Sequence, residues 1–185
     1  MGQPLKSMRI RQDSLKNTFG MVRNQGTKPH QGWDLAAPIG TPVYAIGDGV
    51  IEDVSQGGDY GLTMTLRFTR NGRRLYAFYA HLSLASRAKG DKVSEGDLIA
   101  LTGNSGNASN FPASEDHLHF ELRTVPYLGK GSELAGRVDP GSLLGFGVLS
   151  CPISPQTEPL SSFYDQNKNM STAAPAKKRN SLPGY

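Results

Sequence analysis

The chain has 185 residues, enough for one domain with a hydrophobic core, and a modest net charge of +4. Its one cysteine, Cys151, excludes an intramolecular disulfide, and no apolar run reaches the ~20 residues that a membrane span needs. The basic residues are scattered, which argues against a nucleic-acid partner. Glycine, with 22 copies, favours turn-rich β structure over long helices.

Three regions follow one another along the chain. Residues 1–20 are polar and mixed, and we expect them to pack on the core and to end in a strand at Asn17–Gly20. Residues 21–150 carry strand signals at a regular spacing that is typical of a sandwich or barrel. Residues 151–185 are rich in Pro, Ser and Asn and are predicted to form a tail, with Phe163-Tyr164 as its docking point.

Two segments of the central region share one pattern, which is a strand, a glycine-containing turn and a second strand. In the first segment Gly47-Asp48-Gly49 separates Pro42–Ile46 from Val50–Val54, and this order predicts a β hairpin. The second segment, Lys92–Ala100, has the same order. Together they indicate a weak internal duplication.

The residues between and after these segments complete the prediction of the fold. Leu62–Phe68 alternates apolar and polar residues, and Asn71-Gly72 turns the chain into Arg74–Ala80, a second hairpin. A single helical turn is expected at Leu82–Ala88, and Gly103–Asp116 is predicted to be a functional loop. The fold class that follows is all-β, with an antiparallel sheet or barrel-sandwich-like core, a groove walled by loops and little helix.

All four histidines of the chain lie in short motifs that suit a metal site. On a strand, alternate side chains share a face, so the segment His117-Leu-His119-Phe-Glu121 would direct both histidines and Glu121 into one groove. Leu118, Phe120 and Leu122 would then point into the core. The histidine pair can supply one metal ligand and one neighbouring acid or base. For Glu121 a supporting or strand-surface carboxylate is favoured over a direct catalytic role.

The segment His30-Gln-Gly-Trp-Asp34 adds an oxygen ligand to this nitrogen set. Its two ends would face one side of an extended chain, with Gly32 allowing a tight backbone and Trp33 packing behind it. Three protein ligands with an open fourth position are typical of catalytic zinc, which lowers the pKa of water and polarises a carbonyl. His81, at a predicted strand end, suits proton transfer in the same groove.

These motifs resemble those of the LytM/lysostaphin-type zinc endopeptidases, peptidase family M23, which have the duplicated hybrid motif fold. The resemblance covers residues 17–149 in the order of the family's motifs. It rests on the HxxxD, AHL and HLHFE segments, which are His30–Asp34, Ala80–Leu82 and His117–Glu121. Further similar stretches are Gly40–Ala45 with Asp48–Val50, Val93–Asp97 and Thr102–Gly106.

The resemblance implies one zinc ion per chain, held by His30, Asp34 and His119, with His81 and His117 as the catalytic pair. It also implies a zinc metalloendopeptidase that hydrolyses stem or cross-bridge peptides of bacterial peptidoglycan. The alternative within the same fold is a non-catalytic module that binds peptidoglycan or regulates an amidase. A biotinyl or lipoyl carrier is disfavoured, because neither predicted turn offers a lysine at its tip.

The resemblance also leads to expectations about where and with what the protein works. Peptidoglycan peptides are the expected partner, and action in the periplasm or cell wall the expected location. The given start carries no Sec-type signal, so we expect that the true start was trimmed, that the protein works in the cytoplasm, or that it is delivered by a non-Sec route. A secretion-system component or an inhibitory or immunity protein is then a candidate partner of an expected monomer. The Gly103–Asp116 loop is longer than is usual in the family and bears on substrate preference.

Overall fold

A computed structural model describes residues 1–129 and 131–144 of the chain. Cys151 and the predicted tail with Phe163-Tyr164 lie outside the described residues. Within them the chain forms short strands, 3-10 turns and one helical turn, α1 (Gly141–Leu144). The strands are β1 (Gly20–Arg23), β2 (Lys28–His30), β3 (Trp33–Ala36), β4 (Pro42–Tyr44), β5 (Gly49–Gln56), β6 (Leu62–Arg70), β7 (Arg73–Ala85), β8 (Lys92–Val93), β9 (Leu98–Thr102), β10 (His117–Arg123) and β11 (Arg137–Val138).

Nine of the described strands form one antiparallel sheet, which confirms the predicted all-β fold class. The main path runs β11-β10-β7-β6-β5-β8, with β3 paired to β10 and with β9 bridging β4 and β7. The strands β1 and β2 form a separate two-stranded sheet. The strand β10 therefore lies between β3 and β7, and side chains from all three strands meet along it.

The hairpin predicted around Asn71-Gly72 is confirmed, since β6 and β7 pair down to Arg70 opposite Arg73. The helical turn predicted at Leu82–Ala88 is wrong, because β7 continues as a strand through Ala85. Tertiary pairing decides the outcome here: β7 leaves β6 and continues beside β9, with Leu82 opposite Thr102.

The hairpin predicted between Pro42–Ile46 and Val50–Val54 is also wrong, although both strands exist. The strand β4 pairs with β9 and β5 pairs with β8, so the two similar segments interlock crosswise. Their turns are joined as well: the backbone N–H of Glu95 donates to the Asp48 carboxylate at 2.8 Å. The turn residues thus bind the partner segment, and the two segments of similar pattern pair with each other.

The N-terminal residues contact the same hydrophobic core as the strands. Leu5 and Ile10 are buried in the cluster formed by the inward faces of the sheet. The strand predicted at Asn17–Gly20 is wrong: Leu15–Asn17 is a 3-10 turn, and β1 begins only at Gly20. Asn17 explains the difference, since its side chain donates to the Arg11 carbonyl at 2.7 Å and so competes with strand pairing.

None of the described residues belongs to a helix long and apolar enough to cross a membrane.

Candidate metal centre and catalytic groove

The strand β10 presents its histidines on one face and its apolar side chains on the other. Leu118, Phe120 and Leu122 are part of the hydrophobic core, as the alternation predicts. On the opposite face His119 lies directly beside Asp34 of β3 and Ala80 of β7. The central position of β10 in the sheet therefore places its polar face against both neighbouring strands.

His30 and Asp34 approach each other across a sharp bend between β2 and β3. The His30 Nε2 atom lies 3.1 Å from Asp34 Oδ1. Gly32 allows the bend, since a Cβ at this position would lie 2.2 Å from the Phe120 carbonyl oxygen. Trp33, 1% exposed, packs behind the bend as predicted. The tight backbone at Gly32 thus brings both ends of the HxxxD motif onto β10.

Three donor atoms converge at this point, one each from His30, Asp34 and His119. They all lie within 4.8 Å of one another. The shortest contact joins His119 Nδ1 to Asp34 Oδ1 at 2.8 Å, and the two histidine nitrogens are 3.4 Å apart. Two imidazoles and a carboxylate are a donor set that suits zinc.

The remaining ring nitrogens of the two histidines are occupied elsewhere. His30 Nδ1 donates to the Thr18 carbonyl at 2.8 Å, and His119 Nε2 donates to Glu121 Oε1 at 3.1 Å. With these nitrogens keeping their protons, the nitrogen of each ring that faces Asp34 in this structure is the one that would present a lone pair to a metal ion. The three residues therefore fit a metal ion in both chemistry and orientation.

Glu121 is the centre of a buried charge network behind His119. Its Oε2 accepts from Arg123 Nε and from Arg137 Nε, both at 2.7 Å, and its Oε1 accepts from Tyr60 at 2.9 Å. Burial opposes ionisation, but the bonds to His119 and Arg123 outweigh it and hold the pKa of Glu121 well below its usual range. Glu121 is thus a buried supporting carboxylate and not a strand-surface one.

Two arginines flank the second oxygen of Asp34. Arg23 Nη2 donates to Asp34 Oδ2 at 2.9 Å, and Arg11 Nη2 lies 3.6 Å from the same atom. Burial would raise the pKa of Asp34, but the bonds from His119 and His30 overcome it and hold this pKa well below the ordinary value. Asp34 is therefore an ionised carboxylate with Oδ1 directed at the histidines.

His81 enters the groove through an irregularity in β7. The register between β6 and β7 shifts at this point, and His81 has a φ of 59°, in the left-handed region. A bulge of this kind redirects a side chain from the regular strand alternation. The His81 Nδ1 atom donates to the Ser105 carbonyl at 2.9 Å, so its Nε2 bears the lone pair.

His117 is held in the same way as His81, by a backbone carbonyl. Its Nδ1 atom donates to the Glu115 carbonyl at 2.8 Å, and the two imidazole centroids are 5.0 Å apart. Burial lowers the pKa of His81 to about 4 and also lowers the pKa of His117. Both rings are therefore neutral near pH 7 and able to accept a proton.

His119 has the opposite electrostatics. Burial alone would lower its pKa, but the bonds to Asp34 and Glu121 are stronger and raise it to about 9. Two ionised carboxylates thus face the ring of His119. His81 Nδ1 and His117 Nδ1 each bond to a backbone carbonyl, and His117 also lies 3.5 Å from Arg11 Nη1 and 3.8 Å from Asp34 Oδ1.

A groove of about 490 Å³ opens over these residues. Residues from the N-terminal segment, β1 and β2 form part of its wall, including Arg11, Lys16, Arg23 and Lys28. The loop predicted to be functional forms another part. It contains 3-10 turns at Gly106–Asn110 and Ala113–Glu115, and it contributes Asn107, Phe111 and Glu115 to the lining.

The structure brings all five predicted site residues into one groove, and it adds residues that sequence reasoning missed. His30, Asp34, His81, His117 and His119 are all buried and all line the groove. The missed residues are Arg11 and Arg23, which contact Asp34, and Tyr60, Arg123 and Arg137, which contact Glu121 behind His119. Arg123, two positions after Glu121 on the same face of β10, had a local signal in the alternation.

Comparison with known proteins defines the class to which this fold and groove belong. Residues 28–135, more than half of the chain, match the family model described as Peptidase family M23. The chain therefore belongs to peptidase family M23.

Among curated relatives, the peptidoglycan DD-endopeptidase ShyA of Vibrio cholerae is 40% identical over 97 residues, 51% of this chain and 20% of the relative. The DD-carboxypeptidase/endopeptidase Mpg of Neisseria meningitidis is 40% identical over 94 residues, with the same coverage of 51% and 20%. The chain spans about a fifth of the length of these curated relatives.

Solved structures give the same picture of the fold. The catalytic domain of lysostaphin from Staphylococcus simulans superimposes with a TM-score of 0.53 at 28% identity, covering 69% of this chain and 86% of that domain. The catalytic domain of the prophage-encoded M23 protein EnpA from Enterococcus faecalis also gives 0.53, at 29% identity, covering 69% and 88%.

Proposed function

We propose that the chain is a zinc-dependent endopeptidase that hydrolyses peptide bonds in the stem or cross-bridge peptides of bacterial peptidoglycan. One observation carries the proposal: the donor atoms of His30, Asp34 and His119 converge beside two neutral histidines in an open groove. Membership of peptidase family M23 and the names of the relatives, a peptidoglycan DD-endopeptidase among them, support the reaction and the substrate class.

We assign the three converging residues to the metal. His30 through Nε2, His119 through Nδ1 and Asp34 through Oδ1 would hold one zinc ion per chain. When bound, zinc acts as a Lewis acid that polarises the scissile carbonyl and lowers the pKa of a water molecule. The protein contributes orientation, since each donor atom is already directed at its neighbours by bonds on its far side.

We assign proton transfer to His81 and His117. Both rings are neutral near pH 7, and each donates from Nδ1 to a backbone carbonyl, which leaves Nε2 as the base. One ring accepts the proton of the attacking water, and the leaving amine then receives a proton from the pair. The carbonyl groups of Ser105 and Glu115 stay hydrogen-bonded to Nδ1 when Nε2 is protonated, and they remain neutral throughout.

The proposal extends to the setting of the reaction. A substrate in peptidoglycan places the activity in the periplasm or cell wall. We propose residues 21–150 as the peptidase domain, with residues 1–20 packed on it and the protein acting as a monomer. The burial of Leu5 and Ile10 in the core supports the place given to the N-terminal segment.

Digestion of purified peptidoglycan tests the function. We would use two peptidoglycans of different cross-link chemistry and identify the products by mass spectrometry, with and without a chelator. Cleavage that stops on chelation and returns with zinc is expected. Full cleavage in excess chelator would contradict a metallopeptidase, and binding without cleavage would favour the non-catalytic module.

Two variants separate the roles of the histidines on β10. His119→Ala should lose both zinc and activity, because it removes a ligand. His117→Ala should lose activity by a factor of about 10²–10⁴ and retain one zinc per chain, since it removes only an acid–base group. The two variants are matched controls for each other. Normal cleavage by His117→Ala would show that the catalytic pair is assigned incorrectly.

A further inference from the structure

Three cationic side chains lie next to one another on the groove wall, and we call Lys16, Arg23 and Lys28 the cationic rim. All three line the groove. Arg23 lies directly opposite Lys28 in the β1–β2 pairing, and its Nε donates to the Lys16 carbonyl at 3.0 Å. The backbone therefore fixes the three residues in one place, although they belong to three different elements.

The charges that line the groove do not balance at the rim. Asp34 forms ion pairs with Arg23 and Arg11, and Glu115 forms a further ion pair with Arg11 at 3.5 Å. Within residues 1–129 and 131–144, no acidic side chain forms an ion pair with Lys16 or Lys28. Both lysines are exposed and line the groove. Asp59 also lines the groove but forms no ion pair with either lysine, so Lys16 and Lys28 line the groove without an ion-pair partner among these residues.

The pairing of β1 with β2 places two cationic side chains opposite each other. Like charges directly opposite each other on antiparallel strands are destabilising, and Arg23 and Lys28 are such a pair. Asp34 compensates the charge of Arg23, and the charge of Lys28 has no ion-pair partner among the described residues. Arg23 connects the cationic rim to the candidate metal centre, because its guanidinium donates to Asp34 Oδ2 at 2.9 Å.

We infer that the cationic rim selects substrates that carry a free carboxylate close to the scissile bond. The inference rests on the proposed peptidase function and names its substrate class: acidic peptides, as opposed to peptides in which the same carboxyl group is an amide. Lys16 and Lys28 bind the carboxylate by charge. Both lysines line the same groove as the three converging donor atoms, so the carboxylate lies on the stretch of peptide that this groove holds.

Lysine suits this task because its ammonium is a mobile point charge on a long flexible stem. It attracts a carboxylate without the fixed two-point geometry that arginine imposes. The rim therefore discriminates by charge and tolerates variation in the position of the carboxylate. Exposed charge pairs are screened by salt, so the selection weakens as ionic strength rises.

A pair of substrates that differ only in charge tests the inference. We would compare a soluble cross-linked peptide from peptidoglycan having free carboxyl groups with the same peptide after conversion of those groups to primary amides. The full chain, Lys16→Gln, Lys28→Gln and the double variant would be assayed for kcat and KM. Lys89→Gln is the matched control, since Lys89 is exposed and does not line the groove.

The wild-type protein should prefer the acid by about tenfold in kcat/KM, mainly through a lower KM, as expected for two exposed charge contacts. The double variant should cleave both peptides with equal efficiency, and Lys89→Gln should keep the wild-type preference. Equal cleavage of acid and amide by the wild-type protein would overturn the inference, as would a preference that survives in the double variant.

A binding experiment separates this result from a failure of the proposed function. Zinc-loaded His117→Ala, with and without the two lysine substitutions, would be titrated with each peptide. If neither peptide is cleaved by the wild-type protein, the proposed function fails. A Kd ratio of about tenfold that disappears with the lysines would still support the rim, and equal Kd values would overturn it.

Discussion

The two halves of the groove differ in the charged groups that bond to their histidines. On the metal side, His119 faces the charged pair of Asp34 and Glu121, whose own oxygens bond to arginines. On the proton-transfer side, His81 and His117 each bond to a backbone carbonyl from the end of a loop segment. His30 on the metal side also bonds to a backbone carbonyl, that of Thr18, so what distinguishes the metal side is that His119 hydrogen-bonds to two ionised carboxylates.

The strongest way to break the metal side is to remove Glu121. Glu121→Ala leaves the guanidinium groups of Arg123 and Arg137 buried without their shared counter-charge. Removal of one member of a buried ion pair costs about 3–5 kcal/mol, so we expect the free energy of unfolding to fall by that amount. Chemical denaturation of the zinc-free protein measures it.

A second glutamate in the sheet provides the control for burial. Glu52 accepts from Arg67 Nε at 2.7 Å, the same distance as Glu121 to Arg123, but this pair is partly exposed. Glu52→Ala should therefore lower the free energy of unfolding by only about 0–1 kcal/mol. The conservative Glu121→Gln should weaken zinc binding about 10–100-fold while retaining the fold. Equal losses of stability for the two alanine variants would contradict the role assigned to the buried network.

The pH dependence of stability distinguishes the two halves in the zinc-free protein. Burial lowers the pKa of His81 from 6.5 to about 4, so between these values the unfolded chain binds a proton that the folded protein does not. The free energy of unfolding should therefore fall by about 3 kcal/mol as pH drops from 6.5 to 4. For His119, with a raised pKa of about 9, the stabilisation is present below pH 6.5 and is lost as pH rises through 9.

Denaturation of His81→Asn across both pH ranges checks these signs. Asparagine tolerates the left-handed backbone that His81 adopts, so the substitution removes the titrating ring with little added strain. In the variant, the decrease in the free energy of unfolding between pH 6.5 and pH 4 should be smaller by about 3 kcal/mol. Its decrease above pH 6.5, which comes from His119, should be unchanged. Identical curves for the variant and the wild-type protein would show that His81 does not titrate with a depressed pKa.

The sequence predicted those parts of the site that depend on local periodicity. The alternation in His117–Arg123 gives the face of β10 correctly, and Gly32 marks the bend that joins His30 to Asp34. These features follow from spacing along one short segment.

Features that depend on distant pairing were not predictable in the same way. Arg137 reaches Glu121 because β11 pairs with β10, and no local pattern announces that register. The glycine-containing segment after β4 suggested a hairpin of β4 with β5, but β4 pairs with the distant strand β9 and β5 with β8. His81 was expected at a strand end, whereas it lies in the middle of β7, and a bulge directs it into the groove.

Tyr60 offers the mildest test of the comparison, because it touches the metal side without carrying a charge. Its hydroxyl donates to Glu121 Oε1 at 2.9 Å, and its ring centroid lies 5.3 Å from that of His119. Burial raises the pKa of Tyr60, so the hydroxyl remains a donor at neutral pH. Tyr60→Phe should lower the free energy of unfolding by about 1 kcal/mol, because it removes one hydrogen bond while Glu121 keeps its arginine partners. Zinc affinity should fall only a few-fold, and Tyr127→Phe, at an exposed position, is the control. A loss of kcat far larger than the loss of zinc affinity would show instead that the Tyr60 hydroxyl acts on the substrate.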